Sequence, residues 1–142
     1  MFRSKIKIYT SYVTENNFNR CRDLGLIPII IMRKIYNSPI VGHLSDTVFH
    51  VKDLAPSDEL LWKFKNKEID VAEYQKRLAL DFVNVDFERL IHRWEDLSNV
   101  FDGTTGIVLM SYDLNYNISH RKVVSSLLNA SGLLENEVYE IG

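Results

Sequence analysis

The run Leu26-Ile27-Pro28-Ile29-Ile30-Ile31-Met32 constrains this chain more than any other segment. It is apolar at consecutive positions, so a strand built from it shows apolar side chains to both sides of a sheet. Only a sheet covered on both faces accommodates that, which is the condition of parallel sheets wrapped by helices. The run is the longest of its kind in the chain and far too short to cross a bilayer. Pro28 has no N–H to give a ladder and is expected at the strand's start or beside a bulge.

The rest of the pattern agrees with a covered sheet. Lys5 to Thr10 alternates polar and apolar and predicts a first strand, at a sheet edge. Phe18 to Leu24 predicts a short helix stopped by Gly25. Ser57, Asp70 and Asp86 are placed as helix N-caps, the second with Glu73 at capping-box spacing. The apolar stripes behind them run through Leu60, Leu61 and Phe64, then Tyr74, Leu78 and Phe82, then Leu90, Ile91, Trp94 and Leu97. Trp62 is read with these core aromatics. Gly103 and Gly106 precede a second apolar strand, Ile107 to Met110. A helix from Ser119 to Ala130 and a last strand from Glu137 to Ile141 complete the order. Strands separated by helices predict an α/β fold, a three-layer sandwich with a largely parallel sheet flanked by helices, in one domain over residues 1–142.

Composition removes several function classes. The 17 basic and 19 acidic side chains leave a formal net charge of -2, which argues against a nucleic-acid partner that needs a basic face. Cys21 is the single cysteine, so no intrachain disulfide or cysteine metal cluster can form. No histidine pair has zinc-ligand spacing, and no Gly-rich phosphate loop or nucleophile elbow is present; neither metal nor cofactor is expected. Without a signal-like leader or a membrane-length run, the chain reads as cytoplasmic.

The chemistry-bearing residues gather between Met110 and Arg121, where a buried strand delivers a polar loop to a helix start. Such junctions bind ligands in α/β proteins because the helix's free N–H groups point across the strand ends. Ser111, Asp113 and His120 are the candidate catalytic groups: His120 to move a proton near neutral pH, Asp113 to orient it or accept the proton. Arg121 and Ser119 are candidates to hold a phosphate or carboxylate at the helix start. Arg33, directly after the apolar run, enters the same crevice if the sheet is parallel, and Thr10 lines the same edge. The competing readings are ordinary ones: Asp113 or Asn117 merely caps the helix, His120 and Arg121 lie on its surface, and Arg33 pairs with a nearby carboxylate.

These residues resemble the domain of unknown function 488 family, particularly its YeaO-like branch. The strongest match is Lys52 to Leu60, followed by Trp62, Phe64, Tyr74 and Arg77. Ile6 to Thr10 is similar to the family's opening strand, and Leu26 to Arg33 to its second strand, which ends in arginine. In the family signature, Cys-x-Glu followed six residues later by Cys-His-Arg, His120 and Arg121 are kept, Asp113 stands where Glu is usual, and Ser111 and Ser119 take the cysteine positions; in the second strand Ile31 replaces an aspartate two residues before the arginine. The family has no settled reaction, so the resemblance implies a fold and a pocket rather than a substrate; a thiol-based chemistry would here be either lost or converted to a weaker hydroxyl nucleophile.

Two expectations follow. One is a pocket for a small anion, a nucleotide or phosphorylated metabolite, with residual or lost catalysis. The other is a non-catalytic interaction domain that uses the long irregular segment 33–56 for a protein partner or a homodimer.

Overall fold

A computed structural model describes residues 2–35 and 38–142. Its strands are β1 (Ile8–Tyr12), β2 (Leu26–Ile30), β3 (Gly106–Ser111) and β4 (Tyr139–Glu140). They form one parallel sheet in the order β2-β3-β1-β4. The helices are α1 (Glu15–Asp23), α2 (Asp58–Lys65), α3 (Val71–Phe82), α4 (Phe87–Val100) and α5 (His120–Ala130). Each begins at a residue whose side-chain oxygen accepts a backbone N–H of the first turn: Thr14, Ser57, Asp70, Asp86 and Ser119.

Strand side chains alternate between two cores. On one face Ile8, Ile27, Ile29, Ile107 and Leu109 pack against Tyr74, Leu78, Phe82, Ile91, Trp94, Val124 and Leu128 of α3–α5. On the other, Leu26, Ile30, Val108 and Met110 meet Cys21 of α1 and Val41 and Leu44 of the segment after β2. The consecutive apolar residues of β2 and β3 are thus used on both sides, and each such buried side chain stabilises the fold by about 1.5–3 kcal/mol. This is the α/β arrangement of helices around a parallel sheet that the sequence predicts. No helix among the described residues is long and apolar enough to cross a membrane.

Several local expectations are corrected. β1 begins at Ile8 rather than Lys5 and is interior, paired with β3 on one side and β4 on the other; Lys5 and Lys7 are exposed lead-in residues. β2 is an edge strand, and Pro28 sits at its middle rather than its start. Ile30 N–H points away from β3, to the Phe49 carbonyl (2.7 Å). By alternation the nitrogen of Pro28 faces outward too, where no ladder bond is lost and no donor is offered to another strand. The last strand is shorter than expected. Trp62 is 59% exposed rather than core, because two residues of helix rotate it about 200° from buried Leu60.

The segment 33–56 is irregular as expected, with short 3-10 turns at Gly42–Leu44 and Lys52–Leu54. Part of it packs inward. Val41, Leu44, Val51, Leu54 and Ala55 are buried, and Val51 N–H returns to the Ile30 carbonyl at 2.9 Å, closing half of the β2 edge. Tyr36 and Asn37 of this segment lie outside the described residues.

Candidate functional site

The carboxyl ends of β2 and β3 open into a cavity of about 550 Å³. Of the residues singled out from sequence, Arg33, Asp113 and His120 line it. Arg33 follows β2, Asp113 lies in the loop after β3, and His120 opens α5, so parallel strand order brings them together as the sequence reading required. Aromatic and apolar walls come from Met32, Phe64, Tyr74 and Tyr112, and further charge from Lys34, Asp58 and Lys65. Phe64 and Tyr74 stack at 4.1 Å with planes 5° apart, fixing one wall. Lys34 pairs with Asp58 at 3.6 Å.

His120 is almost fully buried, and its Nε2 lies 2.6 Å from the Ile31 carbonyl. A carbonyl only accepts, so Nε2 carries the hydrogen and Nδ1 presents a lone pair. That lone pair faces the Asp113 carboxylate at 3.9 Å, too long for a direct hydrogen bond. The imidazole is therefore oriented by the end of β2 rather than by Asp113, which corrects the role expected for the carboxylate. Burial, partly opposed by Asp113 and the Ile31 carbonyl, holds His120 below its ordinary value, so at neutral pH the ring is uncharged. Burial pushes the Asp113 carboxyl up, but the charge His120 takes on when protonated at acid pH, the Ser119 hydroxyl, its own backbone N–H and Arg121 outweigh it and leave the group below its ordinary value. Burial raises Tyr74, with the Asp113 charge adding to the effect, so its hydroxyl stays protonated.

Arg33 donates Nε–H to the Pro56 carbonyl (3.1 Å), and its terminal nitrogens have no partner among the described residues. The expectation of a carboxylate-paired Arg33 is thus not met. Its backbone is anchored just upstream, where His120 binds the Ile31 carbonyl and His50 Nε2 binds the Met32 carbonyl at 2.5 Å. His50 Nδ1 in turn accepts the Asp46 N–H (3.1 Å). A second, larger groove of about 700 Å³ shares Arg33 and is lined by exposed charges such as Asp81, Arg89 and Arg93. It holds no buried titratable group, so the cavity at the strand ends is the stronger site.

The other sequence candidates form a separate, closed cluster beneath the first turn of α5. Arg121 is 0% exposed and makes a two-point pair with Glu140, Nε–Oε1 3.1 Å and Nη2–Oε2 2.8 Å. Its Nη1 donates to Ser111 Oγ (2.8 Å) and to the Asp113 carbonyl. Thr10 Oγ1 donates to the same Glu140 carboxylate at 2.7 Å. Ser119 Oγ accepts the Arg121 N–H (3.1 Å), capping α5, and lies 3.5 Å from Ser111 Oγ. Arg121 and Thr10 are thus spent on an internal carboxylate instead of a ligand. Ser119 is a helix cap, and Ser111 is fully buried and does not line the cavity. None of the four retains the binding or catalytic role expected of it.

No protein-family model, curated protein or solved structure matches this chain. The site is read on its chemistry alone. Among the described residues no group of three His, Cys, Asp or Glu side chains is arranged to hold a metal ion. Sequence reasoning missed Glu140, whose pairing with Arg121 joins residues 19 apart, and His50, which looked like a loop histidine. Tyr74 was legible as a buried stripe residue, but nothing in periodicity indicates that it reaches a cavity.

Proposed function

We propose that the cavity at the ends of β2 and β3 binds a small anionic ligand, a nucleotide or phosphorylated metabolite, in a cytoplasmic protein. The observation that carries this reading is the convergence of Arg33, with open guanidinium nitrogens, and a buried neutral imidazole on one cavity with aromatic walls. A guanidinium offers paired donors to phosphate oxygens, and the Nδ1 of His120 is a proton acceptor for a ligand hydroxyl or amine beside it. Without a built nucleophile, binding is the primary role and proton transfer by His120 the chemistry it supports. Family membership likewise remains a proposal, carried by Lys52 to Leu60 and by Asp113 and His120 at the cavity. The alternative of an interaction surface on segment 33–56 loses support because Val41, Leu44, Val51, Leu54 and Ala55 are buried, which leaves Val48 as its exposed large apolar side chain among the described residues.

Isothermal titration against nucleoside monophosphates, sugar phosphates and inorganic phosphate tests the proposal. Binding is expected in the wild type and weakened at least tenfold in Arg33→Gln, the loss expected for a charge-assisted hydrogen bond. A complete absence of binding across the panel, or binding indifferent to Arg33→Gln, overturns it.

A further inference from the structure

The feature of the cavity that most restricts its occupant is a pair of hydrogen-bond acceptors facing each other. Nδ1 of His120 and Oδ2 of Asp113 stand 3.9 Å apart. The imidazole cannot rotate to offer its N–H without giving up the Ile31 carbonyl, which accepts from Nε2 at 2.6 Å and is buried. Neither group can satisfy the other, and both line the cavity.

We infer that the anion bound here also carries an amidine-type donor edge, an N–H beside an NH2 as on guanine, seated on Asp113 Oδ2 and His120 Nδ1. This rests on the reading of the cavity as a small-anion site and names which anions it takes. Guanine's N1–H and 2-amino group lie side by side on one edge and offer one donor to each of the two acceptors. Two adjacent donors match acceptors separated by a few ångströms better than a lone hydroxyl, which satisfies only one of them. The aromatic residues Phe64, Tyr74 and Tyr112 supply flat apolar surface for a ring, and Arg33 supplies the cation for the phosphate. Discrimination against a ligand lacking the edge comes from the buried His120 Nδ1, which is then left unpaired, whereas the Asp113 side chain, 40% exposed, is reached by water.

A guanidinium group offers the same donor edge as guanine, so the experiment has two arms. Dissociation constants are measured for guanosine and inosine 5′-monophosphates, which differ by the amino group, and for arginine and lysine, both cations, of which only arginine carries the planar N–H/NH2 edge. The expected result is guanosine monophosphate at least tenfold tighter than inosine monophosphate, with the preference abolished in Asp113→Asn. A preference confined to the arginine arm supports the donor edge and assigns it to a guanidinium. Circular dichroism melting of Asp113→Asn establishes that the variant is folded. Equal affinities within both pairs, with phosphate binding still dependent on Arg33, overturn this inference and leave the anion site standing. No binding of any probe, inorganic phosphate included, removes both.

Discussion

Replacing Arg121 by methionine separates a structural arginine from a ligand-binding one. The side chain is wholly buried, and Glu140 is only 17% exposed. Arg121→Met removes two charge-assisted hydrogen bonds to the carboxylate and two more to Ser111 and the Asp113 carbonyl, leaving Glu140 with the Thr10 hydroxyl as its remaining donor. Hydrogen bonds to a charged group contribute about 1.5–3 kcal/mol each, and removing one partner of a buried pair costs about 3–5 kcal/mol because the other charge is stranded. Thr10 keeps the loss from the top of that range, so about 3–4 kcal/mol is expected. That is a large part of the 5–15 kcal/mol typical of a domain. Equilibrium urea unfolding, followed by the fluorescence of buried Trp94, reads it as a shift in midpoint at constant slope. In the Arg121→Met/Glu140→Leu double variant the stranded charge is gone, and less than about 2 kcal/mol of the loss should remain. A single-variant loss below about 0.5 kcal/mol, the level of an ordinary surface substitution, combined with lost phosphate binding, would refute the reasoning and return Arg121 to the ligand.

Two further outcomes are expected. His120 is held below its ordinary 6.5, so the folded state binds fewer protons than the unfolded one as pH falls below about 6.5. Stability attributable to this group is therefore complete above that pH and declines beneath it, by at most about 1.4 kcal/mol per pH unit. His120→Gln, which keeps a donor for Ile31, should flatten this part of a chemical-denaturation pH profile; an unchanged slope contradicts the burial argument. Pro28→Val restores an outward N–H in the middle of the edge strand and should promote concentration-dependent self-association in light scattering, with a strictly monomeric variant counting against Pro28 as an edge guard.

What was legible in the sequence was local. The caps at Ser57, Asp70 and Asp86 were readable because a short oxygen-bearing side chain satisfies an N–H three residues on, and sequence distance is then spatial distance. The apolar doublets of β2 and β3 announced a covered sheet for the same reason. Strand order was not legible: that β1 is interior and β2 an edge depends on which distant segments pair, and neither Lys5 nor Pro28 records it. The site divided along this line. Strand-end geometry correctly drew Arg33, Asp113 and His120 to one cavity, whereas Arg121 reads as a ligand arginine until Glu140 is seen beside it. Burial of a cation is decided by its counter-ion, and here that carboxylate sits on a two-residue strand of slight sequence signal.

The imidazole bonds to the consecutive carbonyls of Ile31 and Met32 bear on the order in which the molecule assembles. His50 reaches back 18 residues to Met32, whereas His120 reaches back 89 to Ile31. A contact spanning most of the chain forms only after the loop-closure entropy of everything between has been overcome. The stretch carrying Arg33 can thus be tethered early from one side, but its final aim waits for α5 to dock. Completion of the cavity at the strand ends is then among the last events of folding, and regain of the anion affinity proposed for it should trail regain of helical signal in a refolding experiment.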